Sequence, residues 1–173
     1  RWKVFPKFAK EIFGKFDLCI SSSEVSKKYF NNLGVNKIEY FGNLKFSQSI
    51  SSKFYLSHKL KKFMSKKKVW VASSTHPGEE KICAMTHKQL KKKYKNILTI
   101  IIPRHVERIP QIEKEMNIIG LKTHIHEPYK SIKNEIDIYL VNTYGETKSF
   151  FKSFKNIFLG GSIIPHGGQN PIE

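Results

Sequence analysis

Short apolar runs alternate with helix-like segments through the second part of this chain, and this alternation restricts the fold more than any other feature. The most apolar run is Ile-Leu-Thr-Ile-Ile-Ile at residues 97–102, and further runs at 69–72, 136–141 and 156–159 predict more strands. The segments between them have apolar residues at helical spacing. Because parallel neighbours need long connections, this order favours a parallel sheet with right-handed crossovers, which is an α/β fold.

The first 43 residues predict helix, strand, helix and strand, with strands near 17–20 and 38–41. That is too little chain to cover a sheet on both faces, so residues 1–43 are interpreted as the C-terminal part of a larger α/β domain. Residues 44–52 are polar and rich in serine, which predicts a linker, and residues 53–173 are assigned to a second domain. The chain begins without Met and stops one turn into a predicted helix, so we expect a fragment that is cut at both ends.

Four polar loops follow the predicted strands, at residues 73–78, 103–108, 142–146 and 160–170. In a parallel sheet the carboxyl ends of the strands meet at one edge, where ligands usually bind. Together these loops offer hydroxyl groups, an arginine, a Gly-Glu pair and a glycine-rich helix start. A tight turn before an ordinary helix needs the same glycines, but the combination favours a nucleotide or phosphate site.

The last loop leads into Asn170-Pro171-Ile172-Glu173. Asn170 is predicted to cap a helix that starts at Pro171, and the free N–H groups of such a helix start suit a phosphate. The carboxylate of Glu173 then falls in the first turn, where it can accept hydrogen bonds from ribose hydroxyls.

The positive charge is almost entirely lysine. The chain has 28 Lys and three Arg and carries a formal charge of +17. A solvated lysine-rich surface and a patch that faces an anionic membrane both explain this balance. Dedicated nucleic-acid binding is disfavoured, because arginine is the better ligand for phosphates and base edges. The lysine run at 66–68 is interpreted as a solvated surface. Two of the three arginines lie in the hexapeptide 103–108, where recognition of a planar anionic group would be a reason for choosing arginine over lysine.

Several other classes of protein are disfavoured. No GxGxxG motif follows the strand at 69–72, which argues against a dinucleotide-binding oxidoreductase. Cys19 and Cys83 are far apart and are expected to be reduced, and no apolar run approaches the length of a membrane-spanning helix. The loop histidines 76, 105 and 166 lack the spacing of a zinc site, so no metal and no cofactor is predicted.

Some local expectations concern single residues. The helix from residue 79 is predicted to bury Ile82, Met85 and Leu90, with Glu79 and Glu80 complementing its dipole. Other expectations are that Glu107 forms an ion pair with Arg108, that His124 and His126 are surface or turn residues, and that the phenylalanines at 150, 151, 154 and 158 belong to the core.

The four loops, in this order, resemble the donor half of the bacterial 3-deoxy-D-manno-octulosonic acid (Kdo) transferase of lipopolysaccharide synthesis. The segments that carry the resemblance are Ala72-Ser-Ser-Thr-His-Pro-Gly-Glu-Glu80, Pro103-Arg-His-Val-Glu-Arg108, Tyr144-Gly-Glu146, Gly160-Gly-Ser162 and Gly167-Gly-Gln-Asn-Pro-Ile-Glu173. Residues 42–46 are similar to the interdomain crossover of the family, and residues 1–3 to the end of its acceptor domain. The resemblance covers nearly the whole chain.

The resemblance implies a GT-B-type glycosyltransferase, with a Rossmann-like donor domain preceded by the tail of a second Rossmann-like domain. The donor would be CMP-Kdo and the acceptor a lipid A precursor at the cytoplasmic face of the inner membrane, with an anionic membrane surface and no nucleic acid as partner. The alternative is a basic, non-catalytic module that binds nucleic acid or an anionic membrane surface.

The resemblance also implies roles for individual residues. Pro103 and Arg104 would meet the cytidine and phosphate of the donor, and Tyr144, Gly145 and Glu146 would line the nucleotide pocket. The remaining donor-binding residues are Ser74, Thr75, Gly167, Gly168, Asn170, Pro171, Ile172 and Glu173. Tyr144 and Gln169 stand where the family commonly has Met and His. The general-base Glu is expected upstream of Arg1, so no catalytic residue is assigned and the chain alone is expected to be inactive.

Overall fold

The computed structural model describes residues 2–43, 56–127, 132 and 135–164. These residues form two compact units, one within residues 2–43 and the other within residues 56–164. The proposed linker at 44–52 lies outside the described residues. The domain boundaries therefore stay predictions.

The first unit is a small α/β arrangement, as its sequence pattern predicts. It contains a 3-10 turn at Trp2–Val4, helix α1 (Pro6–Phe13), strand β1 (Cys19–Ser21), helix α2 (Glu24–Asn32) and strand β2 (Ile38–Tyr40), and the two strands pair in parallel. The hydroxyl of Ser23 caps α2 by accepting a hydrogen bond from the Ser26 N–H at 3.1 Å. The sheet is narrow, and apolar side chains such as Phe5 and Phe8 stay more than half exposed.

The second unit is a five-stranded sheet covered by helices on both faces. Its elements are α3 (His58–Ser65), β3 (Lys68–Thr75), α4 (Glu79–Lys93), β4 (Ile97–Pro103), a 3-10 turn (Val106–Arg108), α5 (Ile109–Ile118), β5 (Thr123–Ile125), β6 (Ile138–Leu140), α6 (Thr147–Ser153) and β7 (Ile157–Leu159). The strand order is β5-β6-β4-β3-β7, and every neighbouring pair is parallel. The predicted parallel α/β fold is confirmed.

The core lies on both faces of the central strand β4, whose residues are all buried. On one face Ile100 and Ile102 pack with Tyr139, Phe150 and the buried side of α3. On the other face Ile101 packs with residues of β3, α4 and α5. The long apolar run at 97–102 is explained by this position, because a strand that is covered on both faces has no polar side. The prediction that Phe150 belongs to the core is confirmed, and Phe151, Phe154 and Phe158 pack against the core while partly exposed.

The predicted buried face of α4 is wrong. Ile82 and Met85 are 41% and 48% exposed, and the helix instead buries Glu79, Glu80, Cys83, Ala84 and His87. This second set also repeats at helical spacing, and its small members let the helix approach the sheet. Its buried carboxylates accept hydrogen bonds, Glu79 from the His76 N–H and Glu80 from the Thr75 hydroxyl, and His87 Nδ1 lies 2.8 Å from the Thr99 hydroxyl.

Strand β3 is longer than predicted. It continues to Thr75, so that Ser73 to Thr75 are strand residues and not part of a loop. The cause is pairing with β4 that continues past an irregularity, with Thr75 opposite Pro103. No helix within the described ranges has the length and apolar character needed to cross a bilayer.

Candidate functional site

All strands of the second unit run in the same direction, so the segments that follow them meet at one edge of the sheet. We call this the carboxyl edge and define it by residues 73–80, 103–108, 141–146 and 160–164. The predicted loops therefore lie together, as far as the structure describes them.

The backbone at the end of β3 is unusual, and the segment after β7 packs closely against it. We call this segment, residues 160–164, the glycine loop. Ser74 has φ of 55°, in the left-handed region that side chains seldom occupy, and it lies at the irregularity of the β3–β4 pairing. The N–H of Gly160 donates to the Ser73 carbonyl at 2.7 Å. A Cβ atom at position 160 would lie only 2.2 Å from the Ser74 carbonyl oxygen. Glycine at 160 is therefore required for this close approach of two backbones.

Glu79 ties the glycine loop to the start of α4. Its fully buried carboxylate accepts backbone N–H groups from His76 at 2.9 Å, Gly161 at 2.9 Å and Ile163 at 3.3 Å. Burial acts to raise the pKa of Glu79, but these backbone hydrogen bonds prevail and lower it below its usual value. The carboxylate thus stays ionised and fixes where the loop after β7 begins.

Glu80 holds the loop after β4. Its carboxylate accepts hydrogen bonds from the two terminal guanidinium nitrogens of Arg108, at 2.8 and 3.2 Å, and from the Thr75 hydroxyl at 2.9 Å. Glu80 is fully buried and the Arg108 side chain is 14% exposed. The expected ion pair between Glu107 and Arg108 is therefore wrong, because Glu107 instead lies 3.4 Å from His105. A bidentate pair inside the protein gives Arg108 more hydrogen bonds than an exposed neighbour would.

Arg104 begins the loop after β4, which Arg108 anchors to Glu80. Its backbone N–H donates to the Thr75 carbonyl at 3.0 Å, and its side chain is exposed at the carboxyl edge. Pro103, just before it, is buried as the last residue of β4. The two arginines of the hexapeptide therefore differ in role: Arg108 holds the framework and Arg104 faces solvent.

Glu146 is positioned by a chain of buried side chains. Its Oε2 accepts the Thr143 hydroxyl at 2.5 Å and lies 2.9 Å from Nε2 of His126. The other ring nitrogen, Nδ1, is 2.5 Å from the Tyr139 hydroxyl. When Tyr139 donates to Nδ1, the neutral imidazole carries its proton on Nε2, the nitrogen that lies 2.9 Å from Glu146. Burial raises the pKa of Tyr139, with a further contribution from Glu146, so the hydroxyl keeps its proton.

The expectation that His126 is a surface or turn residue is wrong, since it is 5% exposed. Burial lowers the pKa of His126 and prevails over the opposing effect of Glu146, which favours the neutral ring. Its neighbours in sequence do not indicate this role, because Tyr139 and Glu146 lie 13 and 20 positions away. Beside this chain, Tyr144 is 71% exposed, its hydroxyl is 3.4 Å from Glu107, and Gly145 has φ of +85°.

Comparison with known proteins agrees with this arrangement. A family model described as 3-deoxy-D-manno-octulosonic-acid transferase (kdotransferase) matches residues 1–48. The 3-deoxy-D-manno-octulosonic acid transferase of Aquifex aeolicus is 31% identical over 159 residues, which cover 92% of this chain and 41% of that protein. A bifunctional glycosyltransferase/methyltransferase of Fusobacterium nucleatum is 34% identical over 181 residues, covering 100% of this chain and 28% of that protein.

A solved structure is similar as well. The C-terminal CMP-Kdo binding domain of WaaA from Acinetobacter baumannii matches with a TM-score of 0.56 and 26% identity, over 66% of this chain and 59% of that domain. This chain is similar to the Kdo transferases over nearly its whole length. It spans less than half the length of the curated Kdo transferases that it matches, for example 41% of the Aquifex aeolicus protein.

The resemblance to Kdo transferases singled out donor-binding residues, and the structure shows where several of them lie. The carboxyl edge brings together Ser74, Thr75, Pro103, Arg104, Tyr144, Gly145 and Glu146. Thr75 is fully buried and its hydroxyl already donates to Glu80. The remaining ones, Gly167, Gly168, Asn170, Pro171, Ile172 and Glu173, lie outside the described residues. Contact of any of them with a donor stays a prediction.

Two buried residues of the edge were not singled out as site residues. Glu79 and Glu80 are adjacent acids at a helix start, a pattern that predicts only a favourable helix dipole. Their hydrogen bonds to residues 76, 161 and 163 and to Arg108 show that they organise the carboxyl edge. Within the described part of the chain, no three His, Cys, Asp or Glu side chains are grouped as metal ligands.

Proposed function

We propose that this chain carries the donor-binding part of a Kdo transferase, a glycosyltransferase that takes Kdo from CMP-Kdo. The supporting observation is the likeness to the CMP-Kdo binding domain of WaaA, at 26% identity and a TM-score of 0.56. The geometry agrees with it, because an exposed arginine, an exposed tyrosine and a held carboxylate share the carboxyl edge of a parallel sheet.

In this proposal Arg104 acts on the leaving group. When the bond between the sugar and the phosphate breaks, the phosphate of CMP gains negative charge, and a guanidinium group beside it stabilises that charge. The Arg104 N–H donates a hydrogen bond to the Thr75 carbonyl, and this contact fixes the point from which the side chain extends.

The nucleotide would lie across the neighbouring loop. The exposed ring of Tyr144 offers a flat apolar face to the cytosine, and Glu146 offers a carboxylate whose orientation is set by His126 and Thr143. Residues 170–173 complete the proposed site by holding the phosphate and the ribose.

We further propose that the acceptor is a lipid A precursor and that transfer takes place at the cytoplasmic face of the bacterial inner membrane. The support is the naming of several relatives as Kdo transferases, including those of Rickettsia felis at 31% identity and Haemophilus influenzae at 27% identity. In such an enzyme the residues of this chain supply donor recognition and leaving-group stabilisation.

Calorimetric titration of CMP into the purified chain tests the donor site. Arg104→Ala and Glu173→Ala should each weaken binding roughly ten-fold or more, because a hydrogen bond to a charged group contributes about 1.5–3 kcal/mol. Arg104→Lys is the matched control: it keeps the charge and loses the bidentate fork, so its affinity should fall between those of the wild type and Arg104→Ala. A chain that is folded by circular dichroism and binds no CMP would contradict the proposal.

A further inference from the structure

Eight lysines meet at the edge of the sheet opposite the carboxyl edge, where strands β3, β4 and β5 begin. They are residues 66–68, residues 91–93, Lys95 and Lys122, and we call them the lysine edge. The contacts of the intervening residues hold these segments together. The N–H of Lys68 donates to the Asn96 carbonyl at 3.1 Å, and the Asn96 side chain donates to the Lys66 carbonyl at 3.2 Å. Sequence alone shows only the separate runs.

A hollow of about 220 Å³ lies among four of these lysines. It is lined by Lys67, Lys91, Lys95 and Lys122, together with two isoleucines, Glu135 and Asp137. Both carboxylates are already engaged: Asp137 accepts the Lys91 ammonium group and the Lys122 N–H, and Glu135 accepts the Lys122 ammonium group at 2.8 Å. Four lysines against two acids leave the hollow positive. The other four lysines of the edge are close neighbours in sequence of Lys67 and Lys91.

Two aromatic rings beside the lysine edge, those of Phe63 and Tyr94, have lysine ammonium groups over their faces. Nζ of Lys68 lies 3.9 Å from the centroid of the Tyr94 ring, and Nζ of Lys93 lies 5.5 Å from the same centroid. Nζ of Lys67 lies 4.9 Å from the Phe63 centroid. These contacts use ring faces on which an unpaired base would otherwise stack. The lysine edge also contains no arginine, the residue that reads base edges best.

We propose that the lysine edge is a docking surface for a bilayer rich in anionic lipid, with the hollow admitting the phosphate of one headgroup. Lysine is a compact point charge, which suits a diffuse layer of phosphates better than a patterned nucleic acid. Each lysine near an anionic membrane strengthens binding about five-fold, so several together give stable attachment that weakens steeply with salt. The choice of a membrane as partner rests on the proposed function, whereas the surface follows from this charge arrangement and does not depend on the donor site.

The test is co-sedimentation of the 173-residue chain with vesicles of phosphatidylcholine alone and with added phosphatidylglycerol. We expect binding to the anionic vesicles only. Replacement of Lys66, Lys92 and Lys95 by Gln should weaken it on the order of a hundred-fold, at about five-fold for each lysine. The control variant replaces Lys28, Lys81 and Lys114, which are exposed on helices α2, α4 and α5 and are not part of the lysine edge, and so removes the same charge. It should weaken binding less than ten-fold. Thermal unfolding of both variants verifies that they fold.

Three results would overturn the proposal. Equal loss in the two triple variants would show that the whole basic surface acts, and not this edge. Displacement of the chain from vesicles by inorganic phosphate at constant ionic strength would show a site for the free anion. Tighter binding to single-stranded RNA than to anionic vesicles in the same salt, lost in the Lys66, Lys92 and Lys95 variant, would make nucleic acid the partner.

Discussion

At the scale of single residues, the most informative group is the buried imidazole of His126. It bridges Tyr139 in the core and Glu146 at the carboxyl edge, at 2.5 and 2.9 Å. His126→Ala should remove the imidazole that lies 2.9 Å from Glu146 and weaken CMP binding by roughly ten-fold, since a polar contact to a charged group contributes about 1.5 kcal/mol or more. His126→Gln places an amide N–H near the position of Nε2 and should restore most of the affinity. Calorimetric titration of both variants at pH 7 measures this.

A role in packing alone gives a different pattern. Both variants would then lower the unfolding temperature while CMP affinity stayed within two-fold of the wild type. That outcome would remove His126 from the positioning of Glu146.

Glu79 supports a second prediction at the same scale, on pH. Its folded-state pKa lies below the usual value of 4.5, because backbone N–H groups bond the ionised form despite burial. Its contribution to stability is therefore fully present above the unfolded-state pKa and is lost as pH falls through the folded-state pKa. Glu79→Gln should destabilise the chain by about 1–3 kcal/mol at pH 7, because one of the two acceptor oxygens becomes an NH2 group that faces a buried N–H donor. The gap between wild type and variant should close as the pH is lowered below 4.5.

Urea unfolding of both proteins at several pH values measures this gap. Other acids also titrate in this range. Burial acts to raise the pKa of Asp137, but hydrogen bonds from the Lys91 ammonium and the Lys122 N–H prevail and lower it. Such effects are shared by wild type and variant, so the difference between the two proteins removes them. A gap that is constant from neutral to acidic pH would mean that the Glu79 charge has no part in folding.

At the scale of elements, Gly160 joins the loop after β7 to the end of β3. The Cβ of an alanine there would lie 2.2 Å from the Ser74 carbonyl oxygen, and both groups are backbone and cannot rotate away. Gly160→Ala should cost about 3 kcal/mol, the upper end of the range for overpacking. Gly120→Ala is the control: Gly120 has φ of +82° and open space around it, so its cost is only the backbone strain of about 1–2 kcal/mol. Urea midpoints that rank the two variants in the opposite order would disprove the close contact.

The elements themselves were largely predictable from sequence, and their buried faces were less so. Strands β3, β4, β6 and β7 overlap the four predicted apolar runs, most completely in β4, because a strand buried on both faces must be apolar throughout. Strand β5, Thr123–Ile125, is half-buried and falls on none of these runs. The face of α4 was mispredicted because its sequence contains two helical stripes. The apolar one, Ile82 and Met85, is exposed, and the other contains the acids that bind the neighbouring loops. Residues 161 and 163, which decide this choice, lie more than 80 positions away.

At the scale of the whole second unit, Arg104 and Arg108 lie at one edge of the sheet and the eight clustered lysines lie at the opposite edge. The exposed Arg104 follows β4 at the carboxyl edge, and the lysine edge lies where the strands begin. Strand β3 separates these edges, and the seven steps between its eight residues span roughly 23 Å at about 3.3 Å per residue. That distance is well beyond the Debye length of about 8 Å at physiological salt, so the two edges should act independently.

This separation predicts that each edge can be disabled alone. Arg104→Ala should weaken CMP binding and leave attachment to anionic vesicles within two-fold of the wild type. The variant lacking Lys66, Lys92 and Lys95 should do the reverse, because screening over roughly 23 Å removes its effect on the donor site. Raising the salt concentration should likewise release the chain from vesicles much more steeply than it weakens CMP binding, since many charges act together at one edge and few at the other. If either variant weakened both interactions to the same degree, the CMP and the lipid would share one surface, and the assignment of separate roles to the two edges would be wrong.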